Sequence, residues 1–244
     1  MKKNNGTRAD RKAIRRAELE TNGRKAWGQS LQVESLEARQ MMAGDVSVSF
    51  NGAGDLFVVG DGDDNSVDIS TNIVDGDLIV TGNAGTNIVF DGVSANSHEI
   101  FLDSDFTVAG NLRIIMRGGN DTVTVSDLDV TDGVTAVMGG GDDSLDFTSG
   151  NVGAMAVRGG GGNDDLSVTT TDVGDDLVAV MGGGDDTVSL DGVTVGDDLV
   201  VVSVEGAGAL DAFDVEVVDQ LLVRASGGDD TIIFDGGDAG TRAK

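Results

Sequence analysis

The chain has 244 residues and a net charge of −27, and it contains 38 Gly, one His, one Trp and no Cys, Pro or Tyr. This composition excludes a disulfide framework and a thiolate metal site, and it offers few of the side chains on which enzymes depend. The charge argues against nucleic acid as a partner, because phosphate binding needs clustered Lys and Arg, and it makes cations the natural partners.

Residues 1–44 form a basic leader with ten Lys or Arg and five Asp or Glu, whereas the rest of the chain carries a net charge of −32. The leader has helix-forming stretches but no apolar run of about seven residues that could form a signal-peptide core. No later segment approaches about 18 consecutive apolar residues, so no membrane span is predicted. From its residues alone, the leader is expected to be a disordered or partly helical tail. We divide the chain into this leader (1–44), a repeat domain (45–238) and a tail (239–244).

The end of the leader, SLQVESLEARQMMAGDVSV from Ser30 to Val48, resembles the LEPR-XLL targeting segment of large secreted and surface proteins of planctomycete bacteria. The matching positions are Val33, Glu34, Leu36, Glu37, Arg39, Met41, Met42 and Ala43. The segment departs from the pattern at Ala38, where the family has Pro, and in using Met where Leu is usual. The resemblance implies that the protein is secreted or displayed at the cell surface, and it says little about activity.

From Leu56 onward the chain repeats itself with a period of about 22 residues, which lies in the range of repeat architectures. Apolar residues that follow a Gly/Asp corner recur in steps of 22, 34, 22, 21, 22, 22 and 22. They are Leu56, Leu78, Leu112, Val134, Met155, Leu177, Leu199 and Leu221. A fixed period in this range predicts a solenoid, because one unit is too small to bury its own apolar face and must stack on its neighbours.

One copy of the repeat, Asp185–Val202, contains three short stretches in which polar and apolar residues alternate, separated by turns. Alternation with a period of two predicts strands with one buried face. The sequence therefore predicts an all-β fold, a right-handed parallel β-helix of about eight coils. Its predicted interior residues include Leu112, Ile114, Met116, Val134, Ala136, Met138, Leu177, Ala179 and Met181. Four arginines are expected to face water, namely Arg113, Arg117, Arg158 and Arg224.

One step, from Leu78 to Leu112, is longer than the others by about 12 residues, which indicates an insertion near Val93–Ser104. The insertion contains the only histidine, His98, beside Glu99. It is expected to be a loop, either one that holds a ligand or a tolerated surface insertion without a function.

The first corner of each coil carries the strongest chemical signal. The segment Gly159–Ser167 reads GGGGNDDLS and matches the nonapeptide G-G-x-G-x-D-x-U-x. The corner resembles that of the RTX family, the hemolysin-type calcium-binding β-rolls, and the resemblance implies calcium as a cofactor. Degenerate copies recur around Asp64, Asp121, Asp143, Asp186 and Asp230. RTX nonapeptides follow one another directly, whereas this chain has only one such corner in each repeat.

Stacking the corners would place their carboxylates in a column with a spacing of about 4.8 Å. Such charges repel one another, whereas a bound Ca²⁺ would reverse the sign of the interaction. The candidate metal ligands are Asp121, Asp142, Asp143, Asn163, Asp164, Asp185, Asp186, Asp229 and Asp230. In the alternative interpretation, Asp, Asn and Gly are present only because they suit turns. A second corner with Asp55, Asp77, Asp176 and Asp198 is a weaker candidate, since Asn111, Gly133 and Gln220 interrupt it.

These observations favour a non-catalytic structural or adhesive module that is secreted or on the cell surface, with calcium ions as partners and a surface or matrix polysaccharide or protein as a further one. The alternative is a carbohydrate-active β-helix enzyme such as a polysaccharide lyase or hydrolase. That alternative would use Arg113, Arg117 and Arg158 with nearby Asp, although stacked aromatic residues for gripping sugar rings are missing from the pattern.

Overall fold

A computed structural model of the chain describes residues 44–72, 76–90, 93–97, 99–102 and 108–236. All of them fall within one compact unit, Met41–Lys244. These described residues form 21 strands. None of the described residues belongs to a helix that is long and apolar enough to cross a membrane. The leader segment that resembles the targeting sequence lies outside the described residues, apart from its last few positions.

The 21 strands have the following bounds in chain order. They are β1 (Asp45–Phe50), β2 (Leu56–Val59), β3 (Ser66–Thr71), β4 (Leu78–Gly82), β5 (Asn87–Phe90), β6 (Val93–Ser97), β7 (Glu99–Leu102), β8 (Asn111–Ile115), β9 (Thr122–Ser126), β10 (Gly133–Gly140), β11 (Ser144–Val152), β12 (Met155–Gly161), β13 (Asp165–Val173), β14 (Leu177–Gly183), β15 (Thr187–Asp191), β16 (Thr194–Val195), β17 (Leu199–Glu205), β18 (Ala209–Phe213), β19 (Glu216–Val217), β20 (Leu221–Ala225) and β21 (Thr231–Asp235).

Two parallel stacks of strands build the protein. Sheet A stacks β2, β8, β10, β12, β14, β17 and β20 as successive parallel neighbours. Sheet B stacks β3, β9, β11, β13, β15, β18 and β21 in the same way. A short third side follows sheet B, where β16 pairs with the end of β13 and β19 pairs with β16. The chain is thus a parallel β-helix of about six turns, which confirms the predicted fold class.

The interior follows the alternation of the sequence. All nine of the interior residues predicted above are at most 2 % exposed. Leu112, Val134, Met155, Leu177 and Leu199 lie one above another in register along sheet A. Because each inward side chain contacts its equivalents in the turns on either side, burial comes from stacking and not from any single turn. The four arginines are exposed, as predicted.

The prediction of eight coils was wrong, because the segment after β3 reverses direction. A turn closed by the N–H of Asn72, which donates to the carbonyl of Asp77 at 2.8 Å, sends β4 back along β3. Leu78 therefore begins an antiparallel strand of sheet B and not a turn of sheet A. The expected loop at Val93–Ser104 also contains strands, since β6 pairs antiparallel with β5 and β7 with β4. His98 lies outside the described residues.

These reversed strands cover one end of the stack. β1 lies antiparallel on the outer edge of β2, and β4 lies antiparallel on the outer edge of β3. Regular parallel pairing begins where β2 and β3 meet β8 and β9, across a gap of 56 positions between Leu56 and Leu112. The corners that carry the candidate site lie within this parallel part.

Candidate cation site at the first corner

The first corner joins each strand of sheet A to the next strand of sheet B. Its glycines make the turn possible, and Gly162 shows why: its φ is +124°, and a Cβ built there would overlap the carbonyl oxygen of Gly141 in the preceding turn. The residue just before each sheet B strand then falls at the same place in every turn. In the described turns these residues are Asn65, Asp121, Asp143, Asp164, Asp186, Gly208 and Asp230.

The four consecutive aspartates of this set, Asp121, Asp143, Asp164 and Asp186, form what we call the inner Asp column. Each Oδ1 accepts a hydrogen bond from the backbone N–H of the equivalent residue in the preceding turn. The donor–acceptor distances are 2.8 Å for Asn65 to Asp121, 2.8 Å for Asp121 to Asp143, and 3.1 Å for both Asp143 to Asp164 and Asp164 to Asp186. The carboxylates are stacked as the sequence predicted, and they also tie consecutive turns together through hydrogen bonds that the sequence did not predict.

The second carboxylate oxygen of each column residue has no such role. All four Oδ2 atoms are buried without a hydrogen-bond partner, and the four side chains are at most 3 % exposed. Burial raises the pKa of Asp121 and of Asp164 to about 6, and it raises the pKa of Asp143 and Asp186 as well. The backbone hydrogen bonds to Oδ1 oppose this effect without cancelling it. A buried unpaired anion is costly, so each Oδ2 calls for a proton or a cation.

The first turn shows what this position accepts. Asn65 takes the place of an aspartate there, and its Nδ2 donates to the carbonyl of Asp63 at 2.8 Å. A Cβ built on Gly60 would lie 3.0 Å from this Nδ2 and 3.0 Å from the carbonyl oxygen of Met116. At the equivalent Gly159, a Cβ would overlap Asp164 Oδ2 and lie 2.6 Å from the carbonyl oxygen of Met181. At Asp164 the column thus has a carboxylate oxygen where the first turn has an amide donor.

A second, solvent-exposed row runs beside the column, and we call it the outer ladder. It consists of Asp64, Asn120, Asp142, Asn163 and Asp185. Each Oδ1 accepts the backbone N–H of the equivalent residue in the following turn, at 2.7 to 2.9 Å, and the last bond goes to Ala207. Asp and Asn alternate along the row, so like charges are separated by a neutral amide. The predicted ligands Asp142, Asn163 and Asp185 therefore lie next to the column but are satisfied by the backbone.

The column changes at the last turns. Gly208 takes the aspartate position, and its N–H donates to Asp230 Oδ1 at 2.9 Å. Asp229 and Asp230 are exposed, so these two predicted ligands lack the burial of the column. Ser203, which is 8 % exposed, lines a small cavity together with Asp186, and its Oγ is buried without a partner like Asp186 Oδ2. Two residues with unpartnered oxygens thus line one cavity at this end of the column.

The placement of Asp64 in the series of corner aspartates was wrong by one position. The register aligns Asn65 with Asp121, and Asp64 with Asn120 in the outer ladder. The segment GDGDDNSV has two consecutive aspartates before an asparagine, so the sequence alone does not show which of the three is the equivalent residue. The pairing of Ser66 with Thr122 decides it.

The second corner brings together three carboxylates, of which only Asp198 was predicted as a candidate from the sequence. Side-chain oxygens of Asp197, Asp198 and Asp219 lie within 4.8 Å of one another. The N–H of Asp198 donates to Asp176 Oδ1 at 3.1 Å. Partial desolvation, and then the charges of the neighbouring carboxylates, raise the pKa of Asp197. The Asp-Asp pairs that recur from one repeat to the next could have indicated this cluster, but Gln220 obscures it by interrupting the predicted column.

The other members of the second corner are engaged differently. Asp55 Oδ1 accepts hydrogen bonds from Asn111 N–H at 2.7 Å and from Asn111 Nδ2 at 3.0 Å, and these bonds lower the pKa of Asp55. Asp77 lies in the reversed segment, outside the stack of corners. The inner Asp column is therefore the candidate site with the most buried, least satisfied oxygens. Comparisons of the chain with protein-family models, curated proteins and solved structures found no match.

Proposed function

We propose that this protein is a non-catalytic structural or adhesive module, secreted or displayed at the cell surface, whose turns are locked together by calcium at the inner Asp column. One observation carries the proposal: each column carboxylate ties two turns through Oδ1 while its Oδ2 remains buried and unpartnered. Corner residues with only a turn-forming role would not need to bury an ionisable oxygen.

The donor chemistry of the column suits calcium. Calcium takes six to eight oxygen ligands, which include carboxylates and backbone carbonyls, in a flexible geometry. The column offers a carboxylate oxygen in each of four turns, and beside Gly159 a built Cβ would meet both Asp164 Oδ2 and the carbonyl oxygen of Met181. Bound calcium would supply positive charge to the carboxylates of the column, whereas at the start of the column the neutral Asn65 amide supplies only N–H donors. Soft transition metals are less well matched, because the chain contains no Cys.

A structural role agrees with where the charged groups lie. The enzyme alternative would combine Arg113, Arg117 or Arg158 with carboxylates on neighbouring turns. These arginines are associated with sheet A, on whose parallel strands the exposed Glu205, at the end of β17, is the one carboxylate. Asp55, at the corner before β2, is the carboxylate whose pKa the charge of Arg113 lowers, after the larger effect of the hydrogen bonds from Asn111. The exposed aspartates otherwise lie on sheet B and at the corners. No observation among the described residues therefore favours the enzyme over the structural module.

A calcium titration followed by thermal unfolding tests the proposal. We expect the melting temperature of the metal-free protein to rise with calcium at pH 7.5, because a ligand that binds only the folded state stabilises it by mass action. Magnesium at the same concentration should act more weakly, since it dehydrates reluctantly and demands octahedral geometry. Identical melting curves in calcium and in chelator would contradict the calcium role.

Placement outside the cytoplasm is tested separately. The resemblance at Glu34–Ala43 supports export, so the full-length protein expressed in a planctomycete host should be recovered in the medium or the surface fraction. A variant in which Glu34, Glu37 and Arg39 are replaced by Ala should be retained in the cytosol. Recovery of the unaltered protein in the cytosolic fraction would contradict this part of the proposal.

A further inference from the structure

The outer side of sheet A carries positive charges, whereas the repeat domain as a whole is strongly acidic. All four arginines among the described residues belong to it: Arg113, Arg158 and Arg224 lie on strands of sheet A, and Arg117 follows β8 by two residues. All four are exposed, and within the described part of the chain no ion pair is made by any of them. We call this surface, formed by the outward side chains of β2, β8, β10, β12, β14, β17 and β20, the Arg face.

The remaining side chains of the Arg face are mostly apolar or small. In the parallel stack they include Phe57, Val59, Ile115, Thr135, Val137, Ala156, Val178, Val180, Val200, Val202 and Leu222. Ile115 is 38 % exposed and Leu222 is 48 % exposed. The outward positions from Phe57 to Val202 hold no carboxylate, and Glu205, exposed at the end of β17, is the one carboxylate on these strands. A flat surface of valines with isolated arginines is unusual on a chain whose repeat domain is so strongly acidic.

The outer side of sheet B has the complementary chemistry. Its outward positions on β3, β9, β11, β13, β15 and β18 hold Ser, Thr and Asp almost throughout, and no Lys or Arg among these strands. The aspartates are Asp68, Asp146, Asp165, Asp191 and Asp211, with Asp172 near the end of β13. Desolvation, and then the charge of Asp146, raise the pKa of Asp165, so Asp165 has a like charge as its neighbour on this surface. We call this surface the Asp face.

Physical chemistry limits what can cover the Arg face. A guanidinium stays charged in proteins, and covering it without an acceptor leaves a buried charge unpaired. Two Arg faces packed against each other would bury arginines from both copies, with one carboxylate per face, Glu205 at the end of β17, to pair with them. A covering surface must therefore combine carboxylates with side chains small enough to approach a flat sheet. The Asp face of a second copy meets both requirements.

The spacing of the two faces also agrees. Both are generated by the same stack, so outward residues on each recur at the inter-strand distance of about 4.8 Å along the same axis. Two copies lying side by side with parallel axes would keep this register over all their turns. At physiological ionic strength the Debye length is about 8 Å, so repulsion between the acidic bodies is screened while contacts across the faces persist.

From this complementarity, we propose that the Arg face of one copy docks on the Asp face of a second copy, so that the solenoids associate side by side. The contact uses a different surface on each partner, and such contacts generate open arrays unless the rotation between copies closes a ring. The inference deepens the proposed structural role and rests on it, but it does not require calcium.

Cysteine crosslinking tests the arrangement, because the chain contains no natural cysteine. Val180→Cys marks the Arg face and Ser167→Cys marks the Asp face, and a short bis-maleimide is added to each variant alone and to their mixture. We expect a crosslinked dimer in the mixture and little in either variant alone, both with calcium and with chelator. A dimer formed by Val180→Cys alone would overturn the proposal, and so would the absence of crosslinking in all three samples.

A variant that lacks three of the arginines distinguishes crosslinking through specific docking from crosslinking through random collisions. Replacing Arg113, Arg158 and Arg224 together with Gln should lower the yield of crosslinked dimer in the mixture by about tenfold. The melting temperature should stay unchanged, since these exposed side chains make no ion pair within the described chain. An unchanged yield would overturn the charge-directed contact. Failure of this experiment leaves the calcium melting result intact, so the two proposals fail independently.

Discussion

Asn65 donates its backbone N–H to Asp121 Oδ1 at 2.8 Å, and the two residues occupy the same position in successive turns of the solenoid. One side chain is an amide whose Nδ2 is satisfied by the carbonyl of Asp63, and the other is a carboxylate whose Oδ2 has no partner. The backbone therefore tolerates either residue. What the carboxylate adds is a buried site that a proton or a cation can occupy, and this difference can be measured.

The first prediction concerns pH. The raised pKa of a column aspartate means that the folded state holds its proton up to about pH 6, whereas the unfolded chain loses it near 3.8. Stability from these groups is thus fully present at low pH and is lost as pH rises through this window. We expect the melting temperature of metal-free protein to fall between pH 4.5 and pH 7. A temperature that stays constant or rises over this range would contradict the assignment.

The second prediction concerns the column itself. Replacing Asp143, Asp164 and Asp186 together with Asn keeps the Oδ1 acceptor and supplies a donor in place of each orphaned oxygen. In chelator at pH 7.5 the triple variant should melt higher than the parent by about 5 °C or more, because three unpaired buried anions are removed. Its response to calcium should be mostly lost. A triple variant that melts lower than the parent in chelator, or that responds fully to calcium, would disprove the role of the column.

The outer ladder provides the matched control. Replacing Asp142 and Asp185 with Asn introduces the residue that already stands at the equivalent positions 120 and 163. Because the acceptor Oδ1 remains and the groups are exposed, we expect the melting temperature to change by about 2 °C at most. The calcium response should be retained. Loss of that response in this variant would move the site from the column to the ladder.

The corner glycines give a prediction that is independent of any ion. Gly162→Ala would force a side chain onto a backbone with φ of +124° and against the carbonyl of Gly141, so we expect a loss of at least about 2 kcal/mol. Gly161→Ala is the control, because a Cβ there meets nothing within 4 Å. Urea unfolding of both variants checks the difference. Equal stabilities would mean that the corner is not as close-packed as described.

Much of the fold could be predicted because the repeat of about 22 residues and the alternation of polar and apolar residues indicate the same strands and the same buried faces. Inward residues such as Leu112 and Met138 recur at a fixed step and flank outward residues, so their burial followed from the pattern. Leu78 misled the prediction because an apolar residue after a Gly/Asp turn begins an antiparallel strand as readily as a parallel one. The pattern contains no information on strand direction, which the turn between Asn72 and Asp77 decides.

The residues of the candidate site could be predicted from the sequence, but the different roles of their two carboxylate oxygens could not. The spacing placed Asp143, Asp164 and Asp186 in one column, whereas it could not distinguish their two oxygens. The different roles of Oδ1 and Oδ2 depend on hydrogen bonds between turns, and these are set by the register of the sheets. For the same reason the sequence could not separate the buried column from the exposed ladder one residue earlier in the chain.

The reversal of direction after β3 also gives the stack a polarity. A further regular turn could be added to an edge only if its strands ran parallel to the edge strand, as all successive turns from β8 onward do. On the side of the first turn, β1 and β4 run opposite to β2 and β3, and beyond them the sheets continue through β5 and β6 and through β7. The far end of the stack therefore presents the regular parallel edges of β20 and β21. The first end is closed by antiparallel pairs instead, one of them irregular between β5 and β6, a feature that disfavours strand addition to a β-edge.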